Sequence, residues 1–265
     1  MKWWFSDYDG TINLEHNDTI DPRDLDFINR WIENGNSFSI ATGRMPHEIE
    51  AVLDKAKVPY NYIICNNGAV IYEKGKGIIL NTPIPMEERQ NIIKLFKKLR
   101  DDHILGYCLL DQRRDYSKVP VEEIDSNPFL SFNGPHKNNF EEGEKEILNS
   151  KDLNLLYIYL RVDEAEPLKK IVKEMLPNCK VVRTHKNILE IMHPKVSKGD
   201  GIERIRDLKH FDYKDVVTSG DGENDIEMLD VTNHSFAMSN HQPNVEKRAK
   251  HIIDNVFEIE KYIKF

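Results

Sequence analysis

The chain has 265 residues, with 37 Lys and Arg against 45 Asp and Glu, and a formal net charge of −8 at pH 7. This length predicts either one large domain or a core with a second module. The acidic balance, without a dense basic patch interleaved with aromatics, argues against nucleic acid as a partner. No stretch reaches the roughly 18 apolar residues of a membrane span, no signal peptide is predicted, and three cysteines without a CxxC pair are typical of reduced thiols. We therefore expect a cytoplasmic protein that has no membrane partner.

Strand and helix alternate through the first quarter of the chain. Short apolar runs and helical spacing of apolar residues predict, in order, a strand over 3–5, a helix over 21–34, a strand over 37–41, a helix over 48–57 and a strand over 62–65. This order is typical of a parallel sheet with helical crossovers, so we predict an α/β doubly wound core.

The pattern changes after residue 68. A hairpin is predicted over 69–80, and Pro83 and Pro85 then interrupt the chain. Further elements follow in the order helix 87–100, strand 105–110, helix 140–149, strand 155–160, helix 165–175, and strands 180–183 and 188–192. We predict a core formed by 1–82 and 188–265, and an inserted α+β module over 83–187 with hinges near 82–85 and 185–187.

Two acidic clusters follow apolar runs near the two ends of the chain. Asp-Tyr-Asp-Gly-Thr occupies residues 7–11, and Gly-Asp-Gly-Glu-Asn-Asp occupies residues 220–225. Open α/β sheets carry their sites at the carboxyl ends of strands. These clusters together could therefore hold a divalent metal beside a nucleophilic carboxylate.

The residue types fit the hydrolysis of phosphate monoesters, which needs rate enhancements of up to about 10²¹-fold. Asp7 and Asp9 offer a carboxylate that attacks phosphorus and a second acid that protonates the leaving alkoxide. Asp221 and Lys198 are candidates for the metal ligand and the fixed ammonium group that offset charge repulsion. The Thr42 hydroxyl and the Gly43 backbone N–H could bind phosphate oxygens. The residues thus supply every part that this reaction needs.

Each of these residues also has a structural interpretation when taken alone. The first cluster could form a turn, the second could cap a helix, and Lys198 could be a solvated surface lysine. An EF-hand does not fit because Gly10 comes too early, no Walker A motif is present, and the histidines lack paired ligand spacing. It is the joint occurrence of the clusters that favours a catalytic site.

Four motifs in order carry a resemblance to a known family. Residues 7–11, 42–44, 198–199 and 220–225 resemble the motifs of the haloacid dehalogenase superfamily over nearly the whole chain. The long insert between the second and third motifs, with Asn-Gly-Ala at 67–69, is similar to the Cof-type, C2B-capped branch of subfamily IIB. The resemblance implies a Rossmann-like core with a mobile α+β cap and a Mg²⁺-dependent phosphatase of small phosphorylated metabolites.

The resemblance also implies a role for each acidic residue. Asp7 would be the nucleophile, and Asp9 would be the general acid and then the base for the attacking water. Mg²⁺ would be held by Asp221, a carboxylate oxygen of Asp7 and the backbone carbonyl of Asp9. Asp225 would orient the waters of the metal.

A second group of residues would bind the phosphate. Thr42 and Gly43 would contact the phosphoryl group, and Lys198 would neutralise charge on the nucleophile and on the transferring phosphate. Asn224 would orient the phosphate. Arg44 could contact the substrate or pair with a carboxylate of the core.

Other functions and the substrate stay open at this point. A phosphotransferase such as a sugar phosphomutase would use the same aspartyl-phosphate, and a non-enzymatic phospho-acceptor module would keep it as a signal, although Asp9 argues against the latter. Sugar phosphates, nucleotides and pyridoxal phosphate are all candidate substrates. Arg113, Arg114, His136 and Lys137 in the irregular segment 111–139 are candidate contacts. We expect a monomer by default, with a dimer possible.

Overall fold

The computed structural model describes residues 1–110, 112–116 and 140–264. The chain forms two compact units. The core unit comprises Met1–Leu80 and Ser197–Phe265, and the inserted unit comprises Asn81–Val196.

The strands and helices are numbered here in chain order. The strands are Trp3–Ser6 (β1), Ser37–Ala41 (β2), Tyr62–Cys65 (β3), Val70–Glu73 (β4), Gly77–Asn81 (β5), Ile104–Leu109 (β6), Gln112–Tyr116 (β7), Leu153–Tyr159 (β8), Lys180–His185 (β9), Ile188–Met192 (β10), Val216–Gly220 (β11), Ser235–Met238 (β12) and His251–Ile253 (β13). The α-helices are Pro22–Glu33 (α1), Pro46–Ala56 (α2), Arg89–Leu99 (α3), Phe140–Asn149 (α4), Ala165–Met175 (α5), Lys198–Lys209 (α6) and Ile226–Leu229 (α7).

The core unit contains a sheet in the strand order β13-β12-β11-β1-β2-β3-β4-β5. Neighbours from β13 to β3 pair in parallel, and β4 pairs antiparallel with β3. The chain runs outward from β1 in one direction through β2 and β3, and in the other through β11, β12 and β13. The boundary between β1 and β11 is therefore the topological switch point, where open α/β sheets bind ligands.

Alternate residues of β1 pack against helices on opposite faces of this sheet. The Trp4 ring lies 5.3 Å from the ring of Phe27 and 5.6 Å from that of Trp31, both on α1. Phe5 belongs to a separate buried cluster with Ile202 of α6. Because successive side chains of a strand point to opposite faces, both faces are apolar and both are covered. This arrangement confirms the doubly wound α/β core.

The inserted unit has its own antiparallel sheet in the order β7-β6-β8-β10-β9. One buried cluster joins residues of this sheet to α3, α4 and α5, and it includes Leu156, Leu189, Phe96, Ile147 and Val172. The unit is the α+β module that the sequence predicts.

The boundary between the units differs from the sequence prediction at its second crossing. The sequence analysis assigned residues 188–196 to the core, whereas Ile188–Met192 pairs antiparallel with β8 and β9 in the inserted unit. The expected hinge at 185–187 is accordingly the turn between β9 and β10, and the chain crosses between Val196 and Ser197. An apolar run of five residues fits either sheet, so only its long-range partners decide where it belongs.

Asp24 is a fully buried carboxylate in the first turn of α1. It accepts hydrogen bonds from the Phe257 backbone N–H at 2.9 Å and from Asn255 Nδ2 at 3.3 Å, which tie the C-terminal segment to this helix. Burial raises the pKa of Asp24 to about 6 in spite of these donors.

We expect Asp24→Asn to stabilise the protein at pH 8. A carboxyl whose pKa is higher in the folded state adds stability at low pH that is lost as the pH rises through 6, and the amide removes the buried charge but keeps an acceptor oxygen. Urea unfolding at pH 8 and pH 5 should show a gain of about 2 kcal/mol at pH 8 that shrinks at pH 5. A loss of stability that is larger at pH 8 than at pH 5 would contradict this interpretation.

Three consecutive residues after β3 adopt left-handed backbone conformations. Asn66, Asn67 and Gly68 have φ values of 48°, 52° and 108°. A Cβ atom on Gly68 would overlap the carbonyl oxygen of Ser197, the residue before α6. Only glycine allows this close approach, which brings the turn against the start of α6.

We expect Gly68→Ala to destabilise the protein far more than Gly75→Ala. Gly75 has a similar φ of 80° but no atom within 4 Å of an added Cβ, so it controls for backbone strain alone. That strain costs about 1–2 kcal/mol, and the clash at Gly68 should at least double this cost. Equal losses in chemical unfolding would show that the contact with Ser197 tolerates a side chain.

Candidate active site

The two acidic clusters lie next to each other because their strands are neighbours. Ser6 of β1 pairs with Ser219 of β11, and the Asp7 backbone N–H donates to the Ser219 carbonyl at 2.8 Å. Asp7 and Asp221 therefore follow adjacent parallel strands at their carboxyl ends. The predicted juxtaposition at the switch point is present.

Three carboxylates form a compact group at this point. Asp7, Asp221 and Asp225 each offer a ligand atom, and these atoms lie within 4.8 Å of one another. Thr11 Oγ1 donates to Asp221 Oδ1 at 3.1 Å. A Cβ on Gly10, which has a φ of 87°, would lie 2.5 Å from Asp221 Oδ2, so glycine leaves the room that this carboxylate occupies.

Lys198 is the buried cation of the site. Its side chain is 1% exposed, and Nζ donates to Oδ1 of Asp7 and to Oδ1 of Asp225, both at 2.6 Å. The other oxygen of Asp225 accepts the backbone N–H groups of Asp221 at 2.9 Å and Gly222 at 2.8 Å. The interpretation of Lys198 as a solvated surface lysine is therefore wrong, and two backbone N–H groups hold the Asp225 carboxylate that accepts from Lys198.

The electrostatics of the group favour a bound cation. Burial raises the pKa of Asp7 well above its usual range, although Lys198 acts in the opposite direction. Burial and the charge of Asp225 raise the pKa of Asp221 to about 7. Burial alone would lower the pKa of Lys198, but Asp225 and Asp7 raise it overall and keep the ammonium charged. Three carboxylates against one ammonium leave excess negative charge, and hard carboxylate oxygens are ligands that fit Mg²⁺.

The predicted phosphate-binding residues lie in the core unit, on segments next to this group: Thr42 and Gly43 follow β2, which pairs with β1, and Asn224 lies in the second acidic cluster. Thr42 follows β2 and is buried, and its Oγ1 accepts the Arg44 backbone N–H at 3.1 Å, so the hydroxyl proton can still be donated. Gly43 comes next in the chain. Asn224 Nδ2 donates to Asn67 Oδ1 at 2.9 Å. The sequence analysis assigned no role to Asn67. An Asn-Asn-Gly sequence after a strand predicts a turn at this edge of the sheet, and that pattern could have indicated the residue.

The Asp9 carboxylate lies outside the group of three and has other partners. Arg44 donates from Nε to Asp9 Oδ2 at 2.7 Å and from Nη2 to Asp9 Oδ1 at 2.5 Å. Asn13 Nδ2 donates to Asp9 Oδ1 at 2.9 Å. Of the two roles left open for Arg44, the structure shows the pairing with a core carboxylate.

The candidate contacts in the inserted unit are only partly described. Arg113 and Arg114 lie on β7, where the Arg113 guanidinium is 5.2 Å from the centroid of the Tyr157 ring and Arg114 Nε is 3.6 Å from Glu146. His136 and Lys137 lie outside the described residues. Among the helices that the structure describes, none has the length and apolar character needed to cross a membrane.

Known proteins resemble this chain in sequence and in fold. The sequence pattern of the haloacid dehalogenase-like hydrolases matches residues 4–259. The 5-amino-6-(5-phospho-D-ribitylamino)uracil phosphatase of Bacillus subtilis is 28% identical over 91% of this chain and 88% of its own length.

Two solved structures share the fold. A subclass IIB sugar phosphatase superposes with a TM-score of 0.82 at 21% identity, over 99% of this chain and 98% of its own. A phosphatase from Bacteroides thetaiotaomicron gives 0.80 at 25% identity, over 99% and 92%. These relatives are named as phosphatases, which supports phosphatase activity for this chain. The match over nearly its whole length shows that this chain belongs to the haloacid dehalogenase-like hydrolases.

Proposed function

We propose that this protein is a Mg²⁺-dependent phosphatase that hydrolyses a small phosphorylated metabolite through an aspartyl-phosphate on Asp7. The observation that carries the proposal is the buried Asp7 carboxylate, with one oxygen bonded to Lys198 and with Asp221 and Asp225 beside it. A nucleophile, a fixed cation and a set of oxygen ligands thus converge on one point.

In the first step, an Asp7 carboxylate oxygen attacks phosphorus and the bond from phosphorus to the leaving oxygen breaks. Asp9 gives its proton to that oxygen, so the metabolite leaves as an alcohol. Lys198, bonded to Asp7, offsets the negative charge shared by the nucleophile and the phosphate.

In the second step, Asp9 takes a proton from water as the water oxygen attacks phosphorus. The bond from phosphorus to Asp7 breaks, inorganic phosphate leaves and the carboxylate is restored. One residue therefore acts as acid and then as base, and the two steps return the site to its starting state.

The metal and the phosphate have separate sets of partners. Asp7, Asp221 and the backbone carbonyl of Asp9 would hold Mg²⁺, and Asp225 would orient its waters. When bound, the metal supplies positive charge against the phosphate dianion.

Four residues would bind the phosphoryl group itself. They are Thr42, Gly43, Lys198 and Asn224, which between them offer hydroxyl, backbone, ammonium and amide donors.

Three free cysteines support the cytoplasmic location expected from the sequence, and we retain the expectation of a monomer.

We expect magnesium-dependent release of inorganic phosphate from at least one member of a panel of phosphate esters. The panel contains sugar phosphates, nucleotides, pyridoxal phosphate and 5-amino-6-(5-phospho-D-ribitylamino)uracil, each assayed with Mg²⁺ and with EDTA. Asp7→Asn should lower the rate by at least about 10³-fold because the nucleophile is lost.

Asp26→Asn is the matched control. Asp26 is an exposed aspartate that pairs with Arg30 on α1, and its loss should leave the rate unchanged. No release by the folded native chain, or equal release by Asp7→Asn, would contradict the proposed function.

We also expect Mg²⁺ to raise the melting temperature of the native protein. A ligand that binds only the folded state adds about 2.7 kcal/mol at one hundred times its Kd. Because the pKa of Asp221 is about 7, protons compete with the metal, and the shift should be smaller at pH 6 than at pH 8. Asp221→Asn should abolish the shift and Asp26→Asn should keep it. An unchanged shift in Asp221→Asn would place the metal elsewhere.

A further inference from the structure

We propose that Arg44 is the positioning residue for Asp9 and that it makes Oδ2 of Asp9 the oxygen that exchanges the proton. This inference rests on the proposed function and deepens it. In the first step, the proton on Asp9 Oδ2 moves to the leaving oxygen as the bond from that oxygen to phosphorus breaks.

The contacts of the Asp9 carboxylate distinguish its two oxygens. Oδ1 accepts from Arg44 Nη2 at 2.5 Å and from Asn13 Nδ2 at 2.9 Å, whereas Oδ2 accepts from Arg44 Nε at 2.7 Å. A carboxylate oxygen has two acceptor directions. Within the described part of the chain, Oδ1 therefore uses both of its directions and Oδ2 retains one. The guanidinium fork also fixes the plane of the carboxyl group, which a single donor could not do.

Arg44 is itself held on a second side. Its Nη2 donates to Asp18 Oδ1 at 3.0 Å, and its guanidinium lies 5.0 Å from the centroid of the Tyr8 ring. Its backbone N–H donates to Thr42 Oγ1 at 3.1 Å. Its side chain is 17% exposed. A planar cation that is restrained in this way transmits a defined geometry to Asp9.

Asn13 closes the network from the opposite side. This fully buried side chain donates through Nδ2 to Asp9 and, at 3.2 Å, to Asp18. Its Oδ1 accepts the backbone N–H groups of Asn17 at 3.1 Å and Asp18 at 2.9 Å. The loop that follows the first motif is thus folded around the amide that supports Asp9. The buried Asn13 amide thus helps Arg44 to fix the direction of the Asp9 carboxyl group.

A direct role for Arg44 as a charge for the substrate phosphate fits these contacts less well. Nε and Nη2 both face carboxylates, and Arg44 has no described contact with Asp7 or Asp221. The buried ammonium of Lys198 is the cation that contacts Asp7. The geometry of Arg44 suits the orientation of a neighbouring acid.

The test compares two phosphate esters that differ in their need for an acid. The value of kcat/KM covers the steps up to the first irreversible one, here departure of the leaving group. An alkyl phosphate needs a proton for its basic leaving oxygen, whereas 4-nitrophenyl phosphate releases a stable phenolate. For Arg44→Gln we expect kcat/KM to fall about 10²-fold with the alkyl ester and less than about tenfold with the aryl ester.

Three variants separate positioning from charge and from folding. Arg44→Lys keeps the charge without the fork, so it should show the same selective loss. Asp18→Asn removes the charge of the second partner of Arg44 and leaves an oxygen that can still accept from Arg44 and Asn13. It should give a smaller loss with the same preference for the alkyl ester. Arg30→Gln is the matched control, because Arg30 also pairs with two carboxylates, Asp26 and Glu260, but on the surface of α1.

A double-mutant cycle with Asp9→Asn completes the test. If Arg44 acts through Asp9, Arg44→Gln should cause no further loss in the Asp9→Asn background. Equal losses with both esters, full activity in Arg44→Lys, or additive losses in the cycle would each overturn the proposal. The alkyl ester is a panel member that the native chain turns over, and no turnover of any panel member would instead overturn the proposed function.

Discussion

The structure depends on the ammonium group of Lys198, which is buried between the carboxylates of Asp7 and Asp225. Removing charges from water is costly, and such a group persists only if every partner is well placed. Two backbone N–H groups donate to the second carboxylate oxygen of Asp225. The Asn66–Gly68 turn packs against Ser197 at the start of α6. Lys198 therefore links Asp7, which follows β1, to Asp225, which follows β11, and its own helix begins where the Asn66–Gly68 turn packs.

The sheet gives that arrangement a rigid base beneath Asp7. Trp4 Nε1 donates to Ser219 Oγ at 2.9 Å, Ser219 Oγ donates to Ser6 Oγ at 2.8 Å, and Ser6 Oγ donates to the Asp7 carbonyl at 2.8 Å. This chain of hydrogen bonds crosses from β1 to β11 and begins at a tryptophan in the apolar layer. The backbone of the proposed nucleophile is thus anchored to the hydrophobic core, as a preorganised site requires.

The parts of the fold that the sequence predicted are those set by local patterns. Ser37–Ala41 and Tyr62–Cys65 begin and end where the apolar runs predict, because a buried parallel strand is itself an apolar run. The same signal could not assign Ile188–Met192 to a sheet, because pairing partners are a long-range property. The motifs located Asp7, Lys198 and Asp221, but not the role of Asn13. A buried asparagine in a polar loop looks like a turn residue until its partners are known.

The two aspartates of the first motif differ in the kind of cation that each one contacts. Asp7 bonds to the compact ammonium of Lys198, which offsets charge but does not define the plane of the carboxylate. Asp9 accepts two hydrogen bonds from the planar guanidinium of Arg44, and these define the plane of the Asp9 carboxylate. A nucleophile needs its charge balanced, whereas an acid that later acts as a base needs one oxygen directed at one atom. The choice of lysine for one carboxylate and arginine for the other therefore matches the different chemistry that each is proposed to perform.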